Sequence, residues 1–191
     1  FKEAIVAYAL TGDKDEFIST VTHILENYPK ESLDVLMNLI DSHDTARALT
    51  TLSGVKMPRK KADRAAFCLD DTQYALAKKR LKLASTLQYV LPGVPCVFYG
   101  DEAGVQGYED PLNRVTYPWG REDEELLSHY RALGAFREKY ADYLTGETHF
   151  VNDNDALIIE RECEKGKMRL VCNNLTACVF VNDERVLEIN A

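Results

Sequence analysis

No stretch of the sequence is apolar for the roughly 18 residues a membrane-crossing helix needs, so no such span is expected. Positive charge is scarce: 23 Lys and Arg face 31 Asp and Glu, for a net charge of −8. That balance disfavours a general nucleic-acid or anionic-membrane surface, because both require clustered cations. Two basic clusters exist, Arg59, Lys60, Lys61 and Arg64, then Lys78, Lys79, Arg80 and Lys82. They lie beside acidic residues or on a predicted helix and read as solvated faces. The phosphate-cradling patterns G-x-G-x-x-G and G-x-x-x-x-G-K are absent. Histidines number four and are scattered, so a zinc site has little support. Five cysteines (Cys68, Cys96, Cys163, Cys172, Cys178) show no C-x-x-C spacing, and free, mostly buried thiols are the plain reading. A reducing, cytoplasmic setting is the expectation that follows. The chain opens on Phe1 with no leader, which reads as a cut through a longer protein and leaves secretion of the parent open.

What is present is an alternation. With 191 residues and 46% apolar content the chain suits one domain with a small appendage. Residues 1–28 read as helical around a turn at Thr11-Gly12-Asp13, with Phe17, Val21, Ile24, Leu25 and Tyr28 sharing a face and Pro29 as the stop. LDVLMNLI then has strand length and no clean alternation, as expected of a parallel strand covered on both sides. Helical periodicity returns over 72–90, with Leu76, Leu83, Leu87 and Val90 on one side, and VPCVFYG is a second short apolar strand. A third helix is expected over about residues 123–140, with Leu126, Leu127, Tyr130, Leu133 and Phe136 inward. Helices alternating with short continuous apolar strands imply a parallel α/β sheet or barrel. Near Gly146 the character changes to ALIIERE, KMRLVCN, ACVFVN and RVLEI, with hairpin turns at Lys165-Gly166 and Asn182-Asp183. The expected division is 1–144 for the α/β part and 145–191 for a small antiparallel β unit.

Two segments follow predicted strands, where parallel α/β folds place their sites. In NLIDSHDTAR, Asp41, His43, Asp44 and Arg47 fall within a few residues of a strand end. A carboxylate beside an imidazole grips vicinal hydroxyls, and Asp44 is suited to steady positive charge growing on a sugar ring. The competing reading is structural: Asp41 caps a helix and Asp44 pairs with Arg47. The second segment, GVPCVFYGDEAGVQGYEDPLNRVTYPWG, is a long connection carrying Tyr99, Tyr108, Tyr117 and Trp119, too aromatic for disorder. Aromatic faces stack on sugars, and Asp110 and Arg114 suit hydroxyls. For Trp119 a core plug is the plainer reading, and for Asp101 and Glu102 bracing of the loop is favoured over catalysis.

Together these segments resemble the α-amylase family of glycoside hydrolases. NLIDSHDTAR is similar to the family's strand-seven motif. LPGVPCVFYGDEAGVQGYEDPLNRVTYPWG is similar to strand eight and its loop, in the manner of neopullulanase, cyclomaltodextrinase and maltogenic amylase. The resemblance implies the C-terminal part of a (β/α)8 TIM barrel followed by a small antiparallel β domain. It also implies an α-glucan oligosaccharide as partner and retaining cleavage of α-1,4 or α-1,6 links. By the same resemblance Asp44 is the catalytic, transition-state-stabilising carboxylate, and His43 binds hydroxyls at the cleaved sugar. Arg47, Asp110, Arg114, Tyr99 and Trp119 would border the substrate. Retaining cleavage also needs a nucleophile and a general acid. Neither G-F-R-x-D nor an E-x-W-like motif occurs here, so the isolated chain is expected to be inactive. A non-catalytic amylase-like scaffold is the alternative. No metal or cofactor is expected in this chain, calcium being a matter for the parent. A partial barrel leaves apolar faces uncovered, so homo-oligomers are expected.

Overall fold

A computed structural model describes residues 1–189. Helices α1 (Lys2–Thr11) and α2 (Lys14–Asn27) are separated by Gly12, whose φ of 75° ends the first, and by Asp13, whose side chain accepts the Glu16 N–H and starts the second. Phe17 and Val21 of the expected face are buried, but Tyr28 lies beyond the helix and is 59% exposed. Pro29 stands at the start of α3 (Lys30–Asp34), so the run read as one strand is split. Only Met37–Leu39 remains as β1. After two short helices, α4 (Ala48–Leu52) and α5 (Lys61–Ala65), comes α6 (Asp71–Val90). A reciprocal capping box between Asp70 and Gln73 opens α6. Leu83, Leu87 and Val90 are fully buried, whereas Leu76 sits on the outer side of the first turns at 36% exposure.

Strand β2 (Val94–Cys96) pairs in parallel with β1, Asn38 standing opposite Pro95. The buried Asn38 and Gln88 side chains tie this pair to α6. Asn38 Nδ2 donates to Gln88 O, while Gln88 Nε2 donates to Asn38 O and Cys96 O. These polar residues in a buried layer are tolerable because each bonds backbone that needs a partner. Helix α7 (Glu124–Lys139) is capped by Asp123, whose carboxylate accepts the Glu125 and Leu126 N–H groups and bonds from Tyr74 and Lys78. Leu126, Tyr130, Leu133 and Phe136 are buried as the periodicity predicts. His129 is buried too, 2.8 Å from Ser85 of α6. Burial pushes its pKa down to about 4, with Lys82 assisting.

After α8 (Ala141–Leu144), five strands follow: β3 (Glu147–Val151), β4 (Leu157–Cys163), β5 (Gly166–Asn173), β6 (Thr176–Val181) and β7 (Glu184–Ile189). They form an antiparallel meander in chain order. β3 is a strand that the sequence patterning did not single out. Asn182 and Asp183 both have positive φ (48° and 67°), the geometry of a primed two-residue hairpin turn. Leu157, Ile159, Met168, Leu170, Cys172 and Val179 face the same apolar core as Ile5, Phe17 and Leu87. Buried Arg161 spans the seam, donating to Val90 O, Leu144 O and Gly146 O. The thiols are all free, but only Cys172 is buried and Cys68 is exposed, fewer buried than expected. The basic clusters are partly paired: Arg64 with Glu109, and Lys78 and Lys82 with Glu125. Among the described residues no helix is long and apolar enough to cross a membrane.

Candidate carbohydrate site

The loop after β1 turns on itself at once. Ser42 N–H donates to Thr45 Oγ1 (3.0 Å) and Thr45 N–H to Ser42 O (3.2 Å), leaving His43 and Asp44 at the apex. Their side chains are 63% and 73% exposed, and His43 Nε2 lies 3.3 Å from Asp44 Oδ1. Two polar groups at a strand end, open to solvent and in contact with each other, can meet adjacent hydroxyls. Asp41, at the base of the loop, is buried and accepts the Ala48 N–H at 2.7 Å, so the capping role read as its structural alternative is realised.

Arg47 departs from expectation. It does not pair with Asp44, and its side chain is 0% exposed. The guanidinium lies 4.0 Å over the Phe98 ring and 4.6 Å over Tyr99, and Nη1 is 3.6 Å from Asp101. Nε donates to Asn113 O at 2.8 Å, Nη1 donates to Tyr99 O, and the backbone N–H donates to Gly107 O. A delocalised cation stacked on two rings and donating to backbone suits the interior better than an ammonium would.

Beneath the loop the carboxyl groups of Asp41 and Asp101 act on each other, both beside the Arg47 cation. Burial first, then the Asp41 charge, raises the Asp101 carboxyl well above the usual range, and burial raises Asp41 against the pull of Asp101, Ala48 and Arg47. Glu102 accepts the Gly100 N–H at 2.9 Å and bonds Tyr117. Both acidic residues therefore brace the loop.

The loop after β2 carries the remaining expected residues. Tyr99 is 42% exposed, its hydroxyl donating to Val115 O. Asp110 and Arg114 pair at 2.7 Å and are about half exposed. Trp119 is 80% exposed, its ring 4.5 Å from that of Tyr117, which overturns the core-plug reading. Asn113, which no sequence pattern singles out, is fully buried among the carbonyls of Ser42, His43 and Thr45. No periodicity marks it; only its place inside D-P-L-N-R hinted at a role. Among the described residues no group of three His, Cys, Asp or Glu is arranged to hold a metal ion.

No protein-family model matches the chain. It is 40% identical over 146 residues to an amylopullulanase of Thermoanaerobacter thermohydrosulfuricus, covering 75% of this chain and 9% of that protein. A cyclomaltodextrinase of Bacillus sp is 29% identical over 168 residues, covering 85% of this chain and 26% of that protein. The chain thus spans a tenth to a quarter of the length of these relatives. Among solved structures, the type III pullulan hydrolase from Thermococcus kodakarensis superimposes with a TM-score of 0.73 at 27% identity, over 91% of this chain and 29% of its own. A cyclomaltodextrinase gives 0.74 at 28%, over 95% of this chain and 29% of its own. The helices and the parallel strand pair are therefore part of a TIM barrel, and the meander is a C-terminal β domain. The chain belongs to the α-amylase family of glycoside hydrolases, of which it represents a portion.

Proposed function

We propose that this chain forms one wall of the active site of a retaining α-glucan hydrolase, acting on α-1,4 or α-1,6 glucosidic links. The observation that carries it is the exposed His43–Asp44 pair, held at a parallel strand end by buried residues of the neighbouring loop. Asp44 stabilises positive charge on the sugar in the transition state and His43 binds a hydroxyl. Tyr99 and Trp119 offer ring faces, and Asp110 and Arg114 offer polar edges, to sugars beside the cleaved one. Arg47 acts from below, through the loop. The change from α8 to β3 between Leu144 and Glu147 supports a domain division after residue 144.

The chain alone is inactive. Asp101 is buried beside Arg47, out of reach of a sugar, and Glu102 is committed to Gly100 and Tyr117, so neither acts as the nucleophile or the acid. Incubation with maltotriose, pullulan and cyclodextrin is expected to release no reducing sugar. Reproducible hydrolysis that Asp44→Asn abolishes would overturn the inactivity. Maltotriose is expected to shift the NMR signals of His43 and Asp44, and silence there would count against the sugar site itself.

A further inference from the structure

Asn113 and Arg47 hold each other's loops reciprocally. From the loop after β2, Asn113 Nδ2 donates to His43 O at 2.8 Å and Thr45 O at 2.7 Å, with Ser42 O at 3.4 Å. These carbonyls belong to the residues that flank Asp44 on both sides. From the loop after β1, Arg47 returns a bond to the Asn113 carbonyl at 2.8 Å. Arg114 Nη2 adds a longer contact to His43 O at 3.4 Å. Since all three groups facing the amide are carbonyls, only the NH2 end of Asn113 can point at them, which settles its orientation.

Asn113 is fully buried, and its Oδ1 finds no hydrogen-bond partner, nor does Arg47 Nη2. An apolar side chain of the same shape would remove that unsatisfied acceptor but leave the His43 and Thr45 carbonyls without their donor. What the amide supplies, and Leu would not, is a set of donors that fixes the peptide units on either side of an otherwise exposed residue. Asp44's own contacts are its N–H to Ser42 Oγ at 3.3 Å and, from its carboxylate, the exposed His43 ring at 3.3 Å, so both of its partners belong to the same loop. Its direction therefore depends on the backbone around it.

We propose that Asn113 is a positioning residue for Asp44. With Arg47 it latches the loop after β1 to the loop after β2, so that the His43–Asp44 apex is preformed before sugar arrives. Preformed geometry matters because a carboxylate that serves a transition state contributes through orientation, which is lost if it must first be ordered. The sugar part of this inference rests on the function proposed above, whereas the latch does not.

The test uses the chain itself with two variants. Asn113→Leu keeps the shape and removes the donors; Asn113→Asp keeps a polar group but cannot donate when ionised. Backbone amide exchange is followed by NMR together with maltotriose titration. For Asn113→Leu we expect exchange at the Ser42 and Thr45 amides to accelerate at least about tenfold, with Leu170 and Val179 in the β domain unchanged, and maltotriose affinity to fall about tenfold. A purely structural residue would instead leave the loop amides as protected as before, or speed exchange throughout the chain. Either result overturns the proposal. If Asn113→Asp fails to fold because it buries a charge, Asn113→Leu decides alone. If the parent chain binds no maltotriose while the loop amides respond as expected, the carbohydrate reading fails and the latch stands.

Discussion

The meander and the parallel strand pair meet the same requirement in opposite ways. Every strand of the β domain finds its neighbour immediately along the chain, and its core face is closed by Leu157, Ile159, Leu170 and Val179. In the α/β part β1 and β2 are three residues each, and among the described residues each has a single strand neighbour. Around them Val35 is 75% exposed, Met37 62% and Val94 51%. Antiparallel hairpins complete their hydrogen bonding locally, whereas parallel strands depend on partners distant in sequence. What holds the strand pair in place here is the polar tie of Asn38 and Gln88 behind it and the latched loops above it.

The sharpest way to break this contrast is at the seam. Replacing Arg161 with Met strips three buried backbone carbonyls of their donor and is expected to cost about 4 kcal/mol in urea unfolding. A loss under about 1 kcal/mol would show that the two regions do not depend on each other there. Next, Leu170→Ala opens a cavity in the closed core of the meander, with an expected loss of about 3 kcal/mol. A similar loss for Val94→Ala would contradict the contrast, because half-exposed Val94 has little burial to lose.

Acid probes the helical layer through His129. His129 titrates at about 4 in the folded chain, below the ordinary value of 6.5. The unfolded chain therefore binds the extra proton first, so stability is full above about pH 6.5 and is lost as pH falls toward 4. The accumulated loss from this residue is about 3 kcal/mol. Thermal melts between pH 7 and 4.5 are expected to show this slope, and His129→Gln should flatten it. An unchanged slope would place the acid sensitivity elsewhere. The smallest effect is expected at the open strands: Met37→Ser with Val94→Ser should change stability by under about 0.5 kcal/mol. Light scattering should then show less self-association than the parent chain. Equal scattering would mean that other surfaces govern association.

Much of this was legible in sequence because it rests on local signals. The α6 and α7 helices follow from apolar spacing, and the Asn182-Asp183 turn from residues that tolerate positive φ, whereas the Asp70 and Asp123 caps emerge only in the structure. The misplaced readings share a cause. LDVLMNLI has strand composition, but Pro29 starts a short helix that takes its first residues. At the site, the place of His43 and Asp44 just after a strand was legible from the apolar run before them, and both side chains are exposed there. Arg47 was misassigned because its partners, Phe98, Tyr99 and Asn113, lie more than fifty residues away. Asn113 was missed for the same reason, since an amide that serves another loop leaves no pattern in its own.

Reciprocal bonding between residues 41–47 and 99–114 also bears on how such enzymes can be recombined. A chimera that takes the second loop from one parent and the first from another keeps main-chain carbonyls for Asn113, but Arg47 stands without its two rings unless the second loop supplies them. The two segments form one exchangeable module despite the long helix between them, and a crossover placed inside α6 would divide it.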